Sequence, residues 1–149
     1  MPPRSPSLRE RALRFLAARE HSRAELKRKL APHAESAEQL ETLLQELVGR
    51  QQQSDARFAE ARSHVLSRKF GASRIAHDLR SKGVSDEEAA HVVDAARGTD
   101  LERAREVYAR KFRAPPESRE DRAKRMRFLQ SRGFSFDVIK QVLNGLEGE

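Results

Sequence analysis

The chain has 149 residues, 37% hydrophobic and 36% charged, with no cysteine, no tryptophan and a single tyrosine. That balance excludes one thick core, and the scarcity of aromatics excludes a sandwich or barrel of strands; it suits thin helical layers that each bury one stripe. Thirty bases against 23 acids leave a net charge of +7, which favours an acidic partner, most often nucleic acid. The absence of cysteine removes disulfides, thiolate metal sites and thiol nucleophiles together.

Helix signals recur along the whole chain. A Ser or Thr followed three residues later by Glu or Gln opens apolar periodic stretches at Ser7–Glu10, Ser22–Glu25, Ser36–Gln39, Ser85–Glu88 and Thr99–Glu102. Ser54, Ser118 and Ser135 offer simpler caps. Gly49, Gly71, Gly83, Gly98 and Gly133 stand where helices should stop. The predicted spans are 7–19, 22–31, 36–49, 54–69, 72–82, 85–97, 99–112, 117–132 and 135–145. Pro115–Pro116 forces a longer connection before the eighth.

These spans group in threes. Leu30, Leu79 and Leu129 recur at intervals of 49 and 50, as do Ser36, Ser85 and Ser135. The third helices then align without gaps: Leu40/Ala89/Ile139, Leu43/Val92/Val142, Leu44/Val93/Leu143 and Leu47/Ala96/Leu146, the buried positions of an amphipathic helix. First helices agree more loosely, through Leu8, Ala12, Phe15 and Leu16, then Phe58, Ala61, Val65 and Leu66, then Leu101, Ala104, Val107 and Tyr108. The predicted fold is all-α: an elongated, curved tandem array of three three-helix repeats over 7–52, 53–98 and 99–146.

Catalytic chemistry is not visible. The five histidines are scattered, no glycine-rich phosphate loop occurs, and Asp86, Glu87 and Glu88 fit a helix start better than a metal site. No cofactor, metal or enzymatic activity is expected. No apolar run approaches the ~18 residues of a membrane span, and 1–7 lacks a signal-peptide core, so a monomeric, soluble, cytoplasmic protein is expected.

Charge is concentrated instead. Between Arg103 and Arg132 eleven bases face four acids. Arg110, Lys111 and Arg113 end one helix; Arg122, Lys124, Arg125, Arg127 and Arg132 wrap the next. Phe128 falls in register with Asp78 and Lys29, an outward position, where it would either stack on a base or partner, or cover Pro115–Pro116. A second set, Lys27, Arg28, Lys29, Arg68, Lys69, Arg74, Arg80 and Lys82, lies near the second helices of the first two repeats. If the second helices line one side, the repeats form one cationic track. Such runs also occur as plain solvated faces.

Four segments resemble the RecX family of small regulators of the RecA recombinase: Ser22–Leu30, Asp55–Ala59, Gly71–Ile75 with Leu79–Val84, and Phe128–Ser135 followed by Ile139 and Val142. The resemblance covers Leu8 to Leu146. Ser54 stands where members often carry a second acid, and Arg125 replaces the apolar partner of Leu26 and Ile75, leaving Met126 to fill that space. What the resemblance implies is a non-enzymatic inhibitor that binds RecA and its filament on single-stranded DNA, in the helical groove. It would limit filament growth, ATP hydrolysis, strand exchange and stimulated repressor cleavage in DNA repair, recombination and the SOS response. Single- or double-stranded DNA is a further expected partner. The alternative is a plain nucleic-acid-binding protein of helix-turn-helix type, against which the third-helix starts carry acids that repel phosphate.

Overall fold

The computed structural model describes residues 4–147, the side chains of Leu146 and Glu147 excepted. Among the described residues the chain is helical, with no strand. α1 (Leu8–Ala18), α2 (Arg23–Leu30) and α3 (Ala37–Gly49) form the first module, and a single 3-10 turn at Ala31–His33 links α2 to α3. α4 (Asp55–Leu66), α5 (Ala72–Ser81) and α6 (Asp86–Gly98) form the second; α7 (Asp100–Lys111), α8 (Arg119–Ser131) and α9 (Phe136–Glu147) the third.

Serine chemistry starts most of these helices. The hydroxyls of Ser7, Ser22, Ser36, Ser54, Ser85 and Ser118 each accept the amide three residues on, at 3.0–3.1 Å. The reciprocal bond that completes a capping box forms at Ser22, where Glu25 accepts the Ser22 amide. Thr99 departs from expectation: its hydroxyl donates back to the Ala96 carbonyl at 3.2 Å and caps nothing in α7. One residue separates α6 from α7, so Thr99 closes the earlier helix rather than opening the later one.

Each module owns a separate core. Leu30, Leu79 and Leu129, the spacing landmarks of the repeat, are all fully buried. Around them close three distinct apolar clusters, one each within α1–α3, α4–α6 and α7–α9. The third-helix stripe is buried in all three at the predicted positions, the Leu146 side chain lying outside the described residues. Each fully buried leucine contributes roughly 2 kcal/mol of transfer free energy, so a module rests on a handful of such residues. In α4 the stripe differs from expectation. Val65 is 60% exposed and Ala61 also faces solvent, while Ala59 beside Phe58 is buried. Arg62, between Phe58 and Leu66 on the packed face, pairs with Asp78 of α5.

The modules join through their second helices. The Ser22 hydroxyl at the start of α2 donates to the Lys82 carbonyl at the end of α5 (2.7 Å). The Gly71 amide at the start of α5 donates to the Arg132 carbonyl at the end of α8 (2.7 Å). α8, α5 and α2 thus meet end to end, the positive pole of one helix on the negative pole of the next, each satisfying groups a helix end leaves unpaired. Close approach demands glycine. A Cβ on Gly71 would lie 2.5 Å from the Gly133 carbonyl oxygen, and one on Gly83 2.5 Å from the Ala24 Cβ. Gly71 therefore starts α5 rather than ending α4; Gly83 and Gly133 do end helices, with φ of 84° and 92°.

Candidate nucleic-acid interface

A repeated latch sets the two junctions. Asp55, the first residue of α4, accepts the Arg23 amide at the start of α2 (2.8 Å). Asp100, the first residue of α7, accepts the Ala72 amide at the start of α5 (3.1 Å). Each module thereby caps the second helix of the module before it. Neither aspartate was singled out for this role from sequence, although they stand 45 residues apart and each opens a module.

Beyond the latch the junctions differ. Between modules one and two, Arg57 donates to Glu20 (3.1 Å), flanked by Arg19–Glu25 (2.8 Å) in the first module and Arg62–Asp78 (2.9 Å) in the second. Burial alone would raise the Glu25 carboxyl, but hydrogen bonds from Arg19 and the Ser22 amide overcome it and hold it at about 2. The Arg62 hydrogen bond likewise lowers Asp78. His21 is buried at this junction, its Nδ1 3.1 Å from the Arg19 carbonyl and its Nε2 2.8 Å from Lys29 Nζ. An ammonium is only a donor, so Nε2 accepts and Nδ1 carries the proton. Burial, reinforced by Arg19 and Lys29, lowers its pKa.

Between modules two and three the arginines reach for carbonyls. Arg103 donates to the Ser67 (3.1 Å) and Phe70 carbonyls as well as to Asp100. Arg110 donates to the Arg68 carbonyl (2.7 Å), and Arg74 to that of Ser131 (2.9 Å). A carbonyl orients a cation without cancelling its charge. Around this joint Lys69, Arg110, Lys111 and Arg132 line a basin of about 380 Å³ with Val107 and Phe128. Among the described residues none of those four cations has a carboxylate within salt-bridge distance. Phe70, which sequence reasoning passed over, lies under Arg74 (4.8 Å) and Arg132 (5.5 Å).

Of the sequence-derived candidates, the structure brings Lys69, Arg110, Lys111, Phe128 and Arg132 together, with Arg68 and Arg74 beside them. Others lie elsewhere. Lys27 is 3.8 Å from Glu41 and Arg80 3.1 Å from Asp86. Lys82 lines a mixed-charge cleft with Glu20 and Glu25. Arg122 donates to Asn144 on α9 (2.9 Å), and Arg127 borders a groove with Met126 and Phe136. Arg28, Arg113 and Lys124 are exposed.

Two expectations are corrected. Arg125 is buried: it pairs with Asp121 (3.0 Å), donates to the Tyr108 hydroxyl (2.8 Å) and the Ala114 carbonyl (2.5 Å), and stacks on Phe112. Its long stem fills the space of the missing aliphatic residue while its head gathers α7, α8 and the proline connection. Phe128 is half-buried, not outward. It meets Phe112 edge-on at 5.5 Å, beneath Lys111 (4.2 Å) and Arg132 (5.2 Å).

Among the described residues no helix is long and apolar enough to cross a membrane, and no His, Cys, Asp and Glu cluster could hold a metal.

Three three-helix modules joined through their second helices define a class, the tandem three-helix-repeat proteins. Matches to known families make the assignment specific. Residues 9–47, 54–93 and 99–143 match the first, second and third three-helix domains of RecX. A regulatory protein RecX from Leptothrix cholodnii is 49% identical over 92% of this chain and 87% of its own length. One from Herbaspirillum seropedicae is 47% identical over 94% and 92%. The crystal structure of RecX from Lactobacillus salivarius superposes with a TM-score of 0.79 at 20% identity, covering 95% of this chain and 96% of that one, a likeness of fold. The chain belongs to the RecX family of regulatory proteins.

Proposed function

We propose that this protein is a non-catalytic inhibitor of the RecA recombinase. It acts in the cytoplasm as a monomer, in DNA repair and recombination, by lying in the helical groove of the RecA filament on single-stranded DNA. Three units, 7–52, 53–98 and 99–146, would each touch successive protomers, so that modest contacts add through avidity. The observation that carries this reading is the end-to-end row of second helices, with its uncompensated cations at the last joint, in a chain of this family. A rigid modular strip bridging neighbouring protomers favours one inter-protomer geometry, and only such differential affinity shifts a filament between states.

The test is a titration of this protein, well below equimolar, into RecA assembled on single-stranded DNA while ATP turnover and filament length are followed. Turnover and length should fall at ratios far below one per protomer. Turnover that stays constant, or falls only when the protein competes for all the DNA, overturns the proposal in favour of a plain DNA binder.

A further inference from the structure

The basin exists only while the second and third modules are in register. Lys69 comes from the turn after α4, whereas Arg110, Lys111, Phe128 and Arg132 come from the ends of α7 and α8. Its two halves are held beneath the surface by other residues: Asp100 on the Ala72 amide, and the Gly71 amide on the Arg132 carbonyl. Asp100 and Arg103 are themselves nearly buried, so no ligand in the basin displaces them.

The character of the ligand follows from what is already occupied. The Phe128 ring lies under Lys111 and Arg132 and is met by Phe112, so a base would have to displace these cations to stack on it. What remains is a cradle of cations from three chain segments, in which Arg110 donates to a carbonyl and Lys111 and Arg132 lie over rings. Such groups match linked phosphate oxygens, which need charge and donors without base readout.

We propose that this basin is a composite grip for the sugar–phosphate backbone of a nucleic-acid strand, assembled by the Asp100 latch, so that seating the backbone locks the third module onto the second. The inference rests on the proposed function, in which the cationic last joint lies against a filament built on single-stranded DNA. By linkage the coupling is reciprocal: whatever loosens the joint weakens the grip, and the strand tightens the joint. Asp100 is a positioning residue here, touching no ligand.

The full chain is titrated against fluorescent oligothymidine and an abasic strand of equal length, by anisotropy, over a range of salt. The two strands should bind within about twofold of each other, since phosphate contacts carry no sequence information. A Lys69→Gln, Arg110→Gln, Lys111→Gln chain should bind at least ~10-fold more weakly, its salt slope shallower by about 2, at ~0.7 per lost phosphate contact. Asp100→Ala alters no basin residue yet should weaken binding several-fold, and Asp55→Ala at the other joint should not. Because Asp100→Ala also strips Arg103 of its partner, Ala72→Pro serves as a second variant. It deletes the capped amide at a helix position that tolerates proline. Hydrogen exchange across 67–74 should slow when the strand binds.

Undiminished binding by the triple variant overturns the grip, as does binding by both joint variants equal to the parent. Thymidine preferred over abasic strand by more than ~10-fold overturns it in favour of base stacking. Recombinase turnover measured on the same variants separates the two readings. A triple variant that loses the strand but still inhibits upholds the grip and refutes the strip's part in inhibition; one that keeps the strand but no longer inhibits refutes the grip alone.

Discussion

The two joints of this molecule use one mechanical design and opposite electrostatics. In both, an aspartate opening one module caps the second helix of the module before it, and a helix-end carbonyl is taken up across the joint. At the first joint Arg57 finds a carboxylate and its neighbours Arg19 and Arg62 do the same, so the charge there closes on itself. At the second, Arg74 and Arg110 find carbonyls, and Arg103 divides its donors between one carboxylate and three carbonyls. The same latch can therefore be built while charge is either spent internally or kept for a partner. A net charge of +7 says nothing about that distribution.

The comparison breaks most severely at the glycine contacts. Gly71→Ala drives a methyl into the Gly133 carbonyl, against backbone that cannot move aside. It should cost about 3 kcal/mol, at the upper end for overpacking, and part modules two and three. Thermal unfolding followed by circular dichroism and module-resolved hydrogen exchange would show it; an unchanged melting profile would mean the close contact is absent in solution.

Next come the latches. Asp55→Ala should cost about 1 kcal/mol, the ordinary value of a helix cap. Asp100→Ala should cost about 2–4 kcal/mol because it also leaves the nearly buried Arg103 guanidinium without its carboxylate. Chemical denaturation of the pair settles the order, and equal losses would show that Arg103 gains nothing from Asp100.

Acid sharpens the contrast. His21 has a folded pKa below its ordinary 6.5, so the unfolded chain binds the proton more readily. The first joint therefore loses stability as pH falls below about 6.5 toward the lowered folded value. Glu25, held at about 2 against an ordinary 4.5, adds a further loss between those values. Asp100 has the opposite sign: burial raises its carboxyl despite Arg103 and the Ala72 amide, so protonation is easier in the folded state. Mild acid should open the first joint before the second, by hydrogen exchange at pH 5 against pH 7.5, and His21→Asn should remove the difference. The smallest effect belongs to the exposed Arg80–Asp86 pair, where Arg80→Ala should change stability by less than ~0.5 kcal/mol.

Much of the fold is legible in the residues. Serine caps and the third-helix stripe depend on spacing within some twenty residues, and the leucine on a repeat of 49 and 50; both kinds of spacing are kept in the structure. The α4 stripe differs from its spacing because the packed face runs through Phe58, Ala59 and Arg62, and the partner of Arg62, Asp78, lies on another helix. The site was legible only as composition. Lys69, Arg110, Lys111 and Arg132 are visible as bases, but so are Lys27 and Arg80, and which of them meets a carboxylate depends on neighbours distant in sequence. Arg125 shows the limit most clearly: counted among surface cations, it is the polar centre of the third module.

Periodicity and capping, both local, were enough to declare three helical units and a cation-rich last third. Only packing decided that Asp55 and Asp100 reach back across the joints, that Gly71 and Gly83 admit a neighbouring helix, and that one joint neutralises its arginines while the other leaves them charged. A side chain's partner across a joint is chosen by how separate modules are set against one another, and no spacing within one helix encodes that placement.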